Sequence, residues 1–250
     1  MYRVGIDVGG TFTDLVAVDD SGKATLAKVP STPADPSIGV LDGLQSLADA
    51  LGGERAVLLA ETDRIVHGTT VATNALIERR GAKVGLLTTE GHRDVIEMRE
   101  GLKDDRYNLR LPPPEQLVPR KLRLGVRERM RADGRIETPL DPASLDSAVA
   151  ALERERVEAV AVCYLHSWRD PRHERAAREA VKRALPGAYV ALSSEVLPQI
   201  KEFERVSTTV VNAYVGPALS RYLGELDRLC RAIWESSSGA SPRPDMPGRP

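Results

Sequence analysis

The stretch that decides the fold is residues 2–19, YRVGIDVGGTFTDLVAVD. Residues 2–8 form an apolar run rich in β-branched side chains, and the two glycines that follow predict a buried strand ending in a tight turn. Residues 12–19 alternate between apolar and polar side chains, which indicates a second strand. The turn at residues 19–22 leads into a third predicted strand over 24–29. We therefore expect an antiparallel meander at the N-terminus.

Helical and strand patterns alternate along the rest of the chain, which favours a layered α/β architecture. Helices are predicted over 37–51, 71–80, 142–156, 171–185 and from Lys201 to about Ala232, and strands over 64–67, 83–88, 157–163 and 188–193. Residues 101–120 contain three consecutive prolines and are predicted to be irregular. A strand pair is predicted over 121–138 around Asp133-Gly134. A break or kink in the last helix is predicted at Gly216-Pro217.

The composition excludes several classes of protein. Of 250 residues, 42% are hydrophobic and 28% are charged, as in folded globular proteins. The 35 basic and 36 acidic residues give a formal net charge of −1, so neither nucleic acid nor a membrane surface is expected as a partner. The two cysteines make neither a disulfide framework nor a tetrahedral zinc site. The sequence lacks a secretory-signal pattern at its start, so we expect a cytoplasmic protein with reduced thiols.

Residues 7–14, DVGGTFTD, are the motif most suited to chemistry. Adjacent glycines between two strands let backbone N–H groups approach phosphate oxygens without interference from a Cβ atom. Thr11 and Thr13 add hydroxyl donors, and Asp7 could hold a hydrated Mg²⁺ or orient a nucleophile. The alternative is a plain hairpin turn. The motif is not a Walker loop or a dinucleotide fingerprint, because its glycines precede a strand rather than a helix.

A second candidate motif is HGTT at residues 67–70, which ends a predicted strand and opens a helix. Its backbone amides could face an anionic group, and Thr73 and Asn74 follow one helical turn later. The alternative is a helix cap next to a buried polar residue. His67 has the side chain of a general acid or base near neutral pH, although a structural histidine is the alternative.

Acidic residues near the last predicted helix are a weaker candidate. Glu195 and the segment 202–205, EFER, could line a substrate pocket. Acids at a helix start followed by ion pairs within the helix are the favoured alternative. Cys163 ends an apolar strand and is interpreted as a small buried hydrophobic residue.

The placement of the glycine loop resembles the first phosphate loop of the actin, Hsp70 and sugar-kinase superfamily. Further blocks narrow the resemblance to the hydantoinase A / 5-oxoprolinase family over about residues 2–230. These blocks are HGTTVATNAL (67–76), RRGA (79–82), LTTEGHRD (87–94), SSEVLP (193–198), EFER (202–205) and TTVVNAY (208–214). His92 stands where the family usually has an aromatic residue.

The resemblance implies an α/β fold with a ribonuclease-H-like mixed sheet and flanking helices, the first lobe of an actin-type ATPase. It implies an ATP-dependent hydrolase that phosphorylates the carbonyl oxygen of a small cyclic amide before water opens the ring. The implied cofactors are ATP and Mg²⁺ or another divalent cation. The implied partners are a hydantoinase B-type subunit and an oligomeric assembly.

The resemblance also assigns roles to single residues. Asp7 is the implied metal-binding or catalytic carboxylate, and His67 is a second catalytic candidate. The candidates for phosphate binding are Gly9, Gly10, Thr11, Thr13 and Asp14. The candidates for substrate binding are Thr69, Thr70, Thr73 and Asn74. Asp14 could bind through water or support the turn.

The domain organisation suggests an incomplete enzyme. Residues 2–195 are predicted to form the family's N-terminal α/β domain, residues 196–232 the start of the following domain, and residues 235–250 a disordered tail. An actin-type ATPase needs a second lobe with its own phosphate loop, and no second D-x-G-G-T follows residue 100. The chain is therefore expected to be the N-terminal part of a longer enzyme, through truncation, a frameshift or a split gene.

Two alternatives remain open. The first is a catalytically incomplete nucleotide-binding or assembly fragment that needs a partner chain. The second is a small-molecule kinase of the same superfamily, against which the blocks at residues 67–76 and 193–214 count.

Overall fold

The computed structural model describes residues 1–99, 101, 105, 107–112 and 114–238, with the backbone alone at residues 230 and 232–238. The chain divides into two compact units. Unit 1 contains residues 1–77 and the segment that begins at Leu219, and unit 2 contains residues 78–218. The predicted family-domain boundary at residue 195 stays a prediction.

Unit 1 is a four-stranded mixed sheet with helices. Its strands are β1 (Tyr2–Val8), β2 (Phe12–Asp19), β3 (Ala24–Pro30) and β4 (Thr62–Thr69), and its helices are α1 (Pro36–Ala50), α2 (Arg55–Ala60) and α3 (Val71–Ile77). The strand order is β3-β2-β1-β4. The two antiparallel pairs confirm the predicted meander, and β4 lies parallel to β1 on its other side.

The core of unit 1 is formed by the alternate apolar residues of β1 and by apolar residues at helical spacing in α1. Val4, Ile6 and Val8 are buried on one face of the sheet, in one cluster with Leu44 and Leu47 of α1. Successive strand side chains point to opposite faces, so the intervening residues lie on the other face. The strand therefore presents the side chain of Asp7 away from this core.

Unit 2 contains a parallel sheet and a short antiparallel ribbon. Its strands are β5 (Val84–Thr89), β6 (Arg123–Val126), β7 (Arg129–Met130), β8 (Ile136–Thr138), β9 (Ala159–Cys163) and β10 (Tyr189–Leu192). Its helices are α4 (Val95–Met98), α5 (Pro142–Arg154), α6 (Arg172–Ala184), α7 (Ser193–Val196) and the first part of α8 (Glu202–Ser238), with a 3₁₀ turn at Arg120–Leu122.

The parallel sheet of unit 2 has the order β10-β9-β5-β6, and β7 pairs with β8 alone. All residues of β5 and β9 are buried. This continuous burial is the pattern of parallel strands covered on both faces.

Several expectations about the elements are corrected. The strand pair predicted around Asp133-Gly134 is confirmed by the antiparallel pairing of residues 129–130 with 136–138. It is shorter than predicted, because residues 123–126 join the parallel sheet. The last helix does not break at Pro217 but continues through it to Ser238, and the predicted kink stays a prediction. The predicted tail overlaps this helix at residues 235–238, and residues 239–250 lie outside the described part of the chain.

Tertiary packing explains why the helix continues through Pro217. A proline removes one backbone hydrogen bond, but tertiary packing on both sides of it supports the helix. Tyr214 is buried just before the proline, and Tyr222 is buried after it. The boundary between the two units falls one residue after Pro217, at Ala218.

Candidate functional site

In the loop between β1 and β2, the carbonyl groups of Gly9, Thr11 and Phe12 accept hydrogen bonds from within unit 1. The amide of Gly9 donates to the carbonyl of Phe12 at 3.0 Å, which closes the turn. Ser31 forms two hydrogen bonds with the loop. Its hydroxyl donates to the Gly9 carbonyl at 2.7 Å, and its amide donates to the Thr11 carbonyl at 2.9 Å. Within the described residues, the amides of Gly10 and Thr11 donate to no acceptor. The loop therefore offers unpaired N–H donors, as an anion-binding loop must.

The start of α3 covers this loop. The amide and hydroxyl of Thr70 both donate to the carbonyl of Val8, at 3.2 and 3.4 Å. Asn74 donates from its side-chain amide to the Thr70 hydroxyl at 3.2 Å. A Cβ atom on Gly10 would lie 3.5 Å from the same Asn74 nitrogen. The structure thus brings the two sequence motifs together, with Asn74 next to the glycine loop.

Asp7 lies at the root of the loop, on the exposed face of the sheet. The strand register places it beside Asp14 of β2 and Gly68 of β4. The Asp14 carboxylate is paired with Lys28 at 2.8 Å. Asp7 has no ion-pair partner among the described side chains, and a Cβ atom on Gly68 would come within 3.4 Å of its carboxylate. The arrangement leaves one open carboxylate next to the unpaired loop amides.

Thr13 lies on the other face of β2 from Asp14. It is completely buried, and its hydroxyl is 3.1 Å from the Ser31 hydroxyl. Because this hydroxyl is buried within unit 1 next to the Ser31 hydroxyl, it does not lie on the face where Asp7 is exposed. The predicted direct contact between Thr13 and a phosphate is not supported by this placement. Thr11, in contrast, is exposed.

His67 is also on the face opposite Asp7. It pairs in register with Ile6, a core residue, so both side chains point to the buried face. Its Nε2 atom is 2.8 Å from the hydroxyl of Tyr222 on α8, and its buried Nδ1 atom has no partner among the described residues. Burial lowers the pKa of His67, and the charge of Asp7 opposes this shift. The structure does not bring Asp7 and His67 together as one catalytic pair.

The remaining candidates of the second motif divide into two groups. The Thr69 hydroxyl accepts a hydrogen bond from the amide of Val71 at 3.2 Å, so it stabilises the start of α3. Thr73 is exposed on α3. Only Thr70 and Asn74 reach the β1–β2 loop through the contacts described above.

The side chains around the loop can be compared with those that bind a divalent cation in other proteins. No group of three His, Cys, Asp or Glu side chains suited to a metal occurs in the described part of the chain. Mg²⁺ in nucleotide sites is commonly held by one or two carboxylates, water and the phosphates themselves. Asp7 fits this donor set because it is exposed and has no ion-pair partner, whereas Asp14 is engaged by Lys28.

Sequence reasoning missed Ser31 and Lys28. The signal was present in the meander itself, because antiparallel pairing of β2 with β3 places Phe12 opposite Pro30 and Asp14 opposite Lys28. Residue 31 then falls beside the loop.

Comparison with known proteins identifies the family. Residues 3–185 match the model of the hydantoinase/oxoprolinase N-terminal region. The chain belongs to the hydantoinase/oxoprolinase family. It is 44% identical over 251 residues to the caprolactamase subunit alpha of Pseudomonas jessenii, covering 96% of this chain and 36% of that protein. It is 28% identical over 260 residues to the 5-oxoprolinase of Saccharomyces cerevisiae, covering 90% and 20% of the two chains.

Two solved structures of similar proteins share the fold of this chain. The ATP-dependent caprolactamase of Pseudomonas jessenii matches with a TM-score of 0.83 at 46% identity, over 93% of this chain and 34% of that one. Nucleotide-free acetone carboxylase matches with a TM-score of 0.84 at 27% identity, over 94% and 35%. The mixed α/β architecture with flanking helices is thus shared with both.

The chain spans about a third or less of the length of these relatives. In the part of the chain that the structure describes, no helix is both long and apolar enough to cross a membrane.

Proposed function

We propose that this chain is the N-terminal part of an ATP-dependent hydrolase of cyclic amides, and that the β1–β2 loop binds the phosphates of ATP. The observation that carries the proposal is the pair of unpaired amides at Gly10 and Thr11 beside the open carboxylate of Asp7. The identity of 44% to a caprolactamase subunit supports a ring amide as the substrate class. The finer fold assignment, the ribonuclease-H-like first lobe of an actin-type ATPase, is supported by the sheet order β3-β2-β1-β4.

The chemistry follows from the weakness of an amide as an electrophile. Transfer of the terminal phosphoryl group of ATP to the amide oxygen releases ADP and gives a good leaving group on the carbonyl carbon. Attack by a first water at that carbon gives a tetrahedral intermediate, and its collapse with cleavage of the C–N bond opens the ring to an acyl phosphate, the released nitrogen taking up a proton. A second water hydrolyses the acyl phosphate to the amino acid and inorganic phosphate.

Each residue of the site has a proposed part in that reaction. Gly9 and Gly10 let the backbone approach the phosphates, and the amides of Gly10 and Thr11 donate to phosphate oxygens. Asp7 would hold Mg²⁺ through an oxygen ligand or water. Asn74 positions a phosphate or substrate oxygen above Gly10. His67 and Thr13 act by holding β4 and the loop in place, and Asp14 orients Lys28.

A partner subunit of the hydantoinase B type is proposed to complete the reaction. The related proteins named as caprolactamase subunit alpha and acetophenone carboxylase gamma subunit are themselves subunits of larger assemblies. We further propose an oligomeric, cytoplasmic enzyme, which rests on the resemblance and on the composition.

Product analysis tests the reaction class. The chain is combined with its partner subunit, Mg-ATP and a cyclic amide such as caprolactam, 5-oxoproline or hydantoin. A hydrolase yields a ring-opened acid, ADP and free phosphate in equal amounts, and Asp7→Asn abolishes all three. A phosphorylated substrate without ring opening would show a kinase and contradict the proposal.

The second candidate function is a nucleotide-binding fragment that does not turn over by itself. The observation that favours it is the coverage of only 36% of the related caprolactamase subunit. Under this alternative, the isolated chain binds Mg-ATP but releases no phosphate with any cyclic amide until the missing part is supplied as a separate chain.

A further inference from the structure

The face of the unit 1 sheet that carries Asp7 has a row of apolar residues across all four strands. In the strand register, Val16 lies between Leu26 and Gly5, and Val66 lies on the other side of Gly5. Leu26 is 74% exposed and Val66 is 62% exposed. Gly5 has no side chain, so another surface can approach closely at the centre of this apolar row. Exposed apolar side chains that line up across a sheet mark a candidate contact surface.

Charged residues flank the apolar row differently on its two sides. On the side of the β1–β2 loop, Asp7, Asp14 and Lys28 are neighbours across the strands. Asp14 is paired with Lys28, so Asp7 gives this side an unpaired negative charge. On the other side, Arg3 and Arg64 are neighbours in the register of β1 and β4. Both arginines are exposed, and neither has an ion-pair partner among the described residues.

We propose that a second copy of this chain docks face to face on this sheet, with a two-fold axis along the apolar row. Rotation about this axis places each residue of the row opposite the same residue of the other copy. Asp7 and Arg3 lie two residues from Gly5 in opposite directions along β1. The rotation therefore places Asp7 of each copy opposite Arg3 of the other. The dimer gains two pairs of opposite charges around an apolar centre.

The charges favour this axis over the other face-to-face arrangement. A two-fold axis along the strands would place Asp7 of one copy near Asp14 of the other, and like charges across an interface disfavour association. Four strands about 4.8 Å apart and five residues of about 3.3 Å each give each copy a contact face of roughly 300 Å². A face of this size predicts a weak, reversible dimer rather than an obligate one.

Thiol cross-linking tests the geometry, because a residue of the apolar row meets its own copy across the axis. In a Cys230→Ser background, Val66→Cys is expected to give a covalent dimer with a short bismaleimide, since packed sheets lie about 10 Å apart. The remaining cysteine, Cys163, is buried. Ser21→Cys, at an exposed turn residue away from the row, is the control and is expected to stay monomeric. The dimer covers Asp7, so the reaction is run without nucleotide and its result does not depend on the proposed function.

Charge reversal tests the pairing of the two copies. Arg3→Glu places two carboxylates opposite each other and is expected to weaken the dimer at least tenfold, and Asp7→Lys is expected to do the same with two cations. An equimolar mixture of the two variants is expected to restore the dimer, because every pair across the interface is then of opposite charge. Lys23→Glu changes the net charge equally at an exposed residue outside this face and is expected to leave the association unchanged.

Sedimentation equilibrium without nucleotide measures these associations. A monomeric unmodified chain at the highest soluble concentration would overturn the proposal. Equal cross-linking of Val66→Cys and Ser21→Cys would also overturn it, as would a mixture of the two charge variants that associates no better than each variant alone.

Discussion

His67 and Gly68 are neighbours in β4, yet the strand places them on opposite faces of the sheet. Gly68 lies beside Asp7 on the exposed face, whereas His67 points with Ile6 into the buried side. The sequence alone suggests that His67 is an acid or base, but the alternation of side chains along β4 places it on the buried face. Asp7, whose carboxylate is exposed, and His67 therefore lie on opposite faces of the sheet.

The buried position of His67 predicts a pH dependence of stability. Burial lowers its pKa below the ordinary value of 6.5, so the unfolded chain binds more protons in the range between the folded pKa and 6.5. The free energy of unfolding is therefore expected to fall as the pH is lowered through 6.5. Urea unfolding at pH 7.5 and 5.5 measures this loss, which is expected to shrink in His67→Gln.

The matched variant for this test is Tyr222→Phe, which keeps the burial of His67 and removes one hydroxyl. Since burial is the larger cause of the lowered pKa, the pH dependence is expected to persist in it. An equal loss of stability in His67→Gln and the unmodified chain would show that another group is responsible.

Ser31 gives a second prediction at this scale. Ser31→Ala removes the hydrogen bond to the Gly9 carbonyl, which frees that carbonyl to turn toward the phosphate side. A net contribution of about 0.5–1.5 kcal/mol for one hydrogen bond corresponds to a roughly two- to tenfold weaker affinity for Mg-ATP.

Isothermal titration calorimetry measures that affinity, and Ser31→Thr retains the hydroxyl as the control. In the assembled enzyme, the KM for ATP is expected to rise more than kcat falls. An affinity for Mg-ATP in Ser31→Ala equal to that of the unmodified chain would remove Ser31 from the site.

At the scale of elements, the first sheet depends on how closely α1 packs onto β2. Gly43 of α1 is buried, and a Cβ atom there would lie 2.1 Å from Leu15. Thr13, two residues before Leu15 in β2, points to the same face and braces Ser31. The position of α1 is therefore linked to the position of the loop through β2.

Gly43→Ala is expected to destabilise the chain by about 1–3 kcal/mol, because overpacking forces the helix or Leu15 to move. Chemical denaturation measures the change. Gly53→Ala is the matched control, because no atom lies within 4 Å of its added Cβ atom, and its stability is expected to stay within about 0.5 kcal/mol. Similar stabilities for the two variants would show that α1 can shift without cost.

The elements also show what the sequence alone could predict. The strands β1, β2 and β3 were predicted almost to the residue, because alternation and glycine turns are local signals. The pairing of residues 123–126 with β5 was not predicted, because a parallel partner distant in sequence leaves no local trace. The short helix α2 over Arg55–Ala60 was missed for a related reason, since six residues carry too little periodicity.

At the scale of the whole molecule, the sequence motifs fall into different units. The β1–β2 loop and the HGTT motif share unit 1, while the segment 202–205 belongs to unit 2. The glycine motif could be predicted as a phosphate loop because adjacent glycines have a direct physical meaning. The burial of Thr13 and the orientation of His67 depend on strand register, which the spacing of the motif does not reveal.

We propose above that the β1–β2 loop binds the phosphates of ATP beside Asp7. Calorimetric titration of Mg-ATP into the unmodified chain, Asp7→Asn and Asp63→Asn tests this proposal. Asp63 is an exposed carboxylate at the opposite end of β4 from Gly68, so it controls for loss of surface charge. We expect saturable binding by the unmodified chain and by Asp63→Asn, and at least tenfold weaker binding by Asp7→Asn. No saturable binding by the unmodified chain, or equal affinity in Asp7→Asn, would contradict the claim.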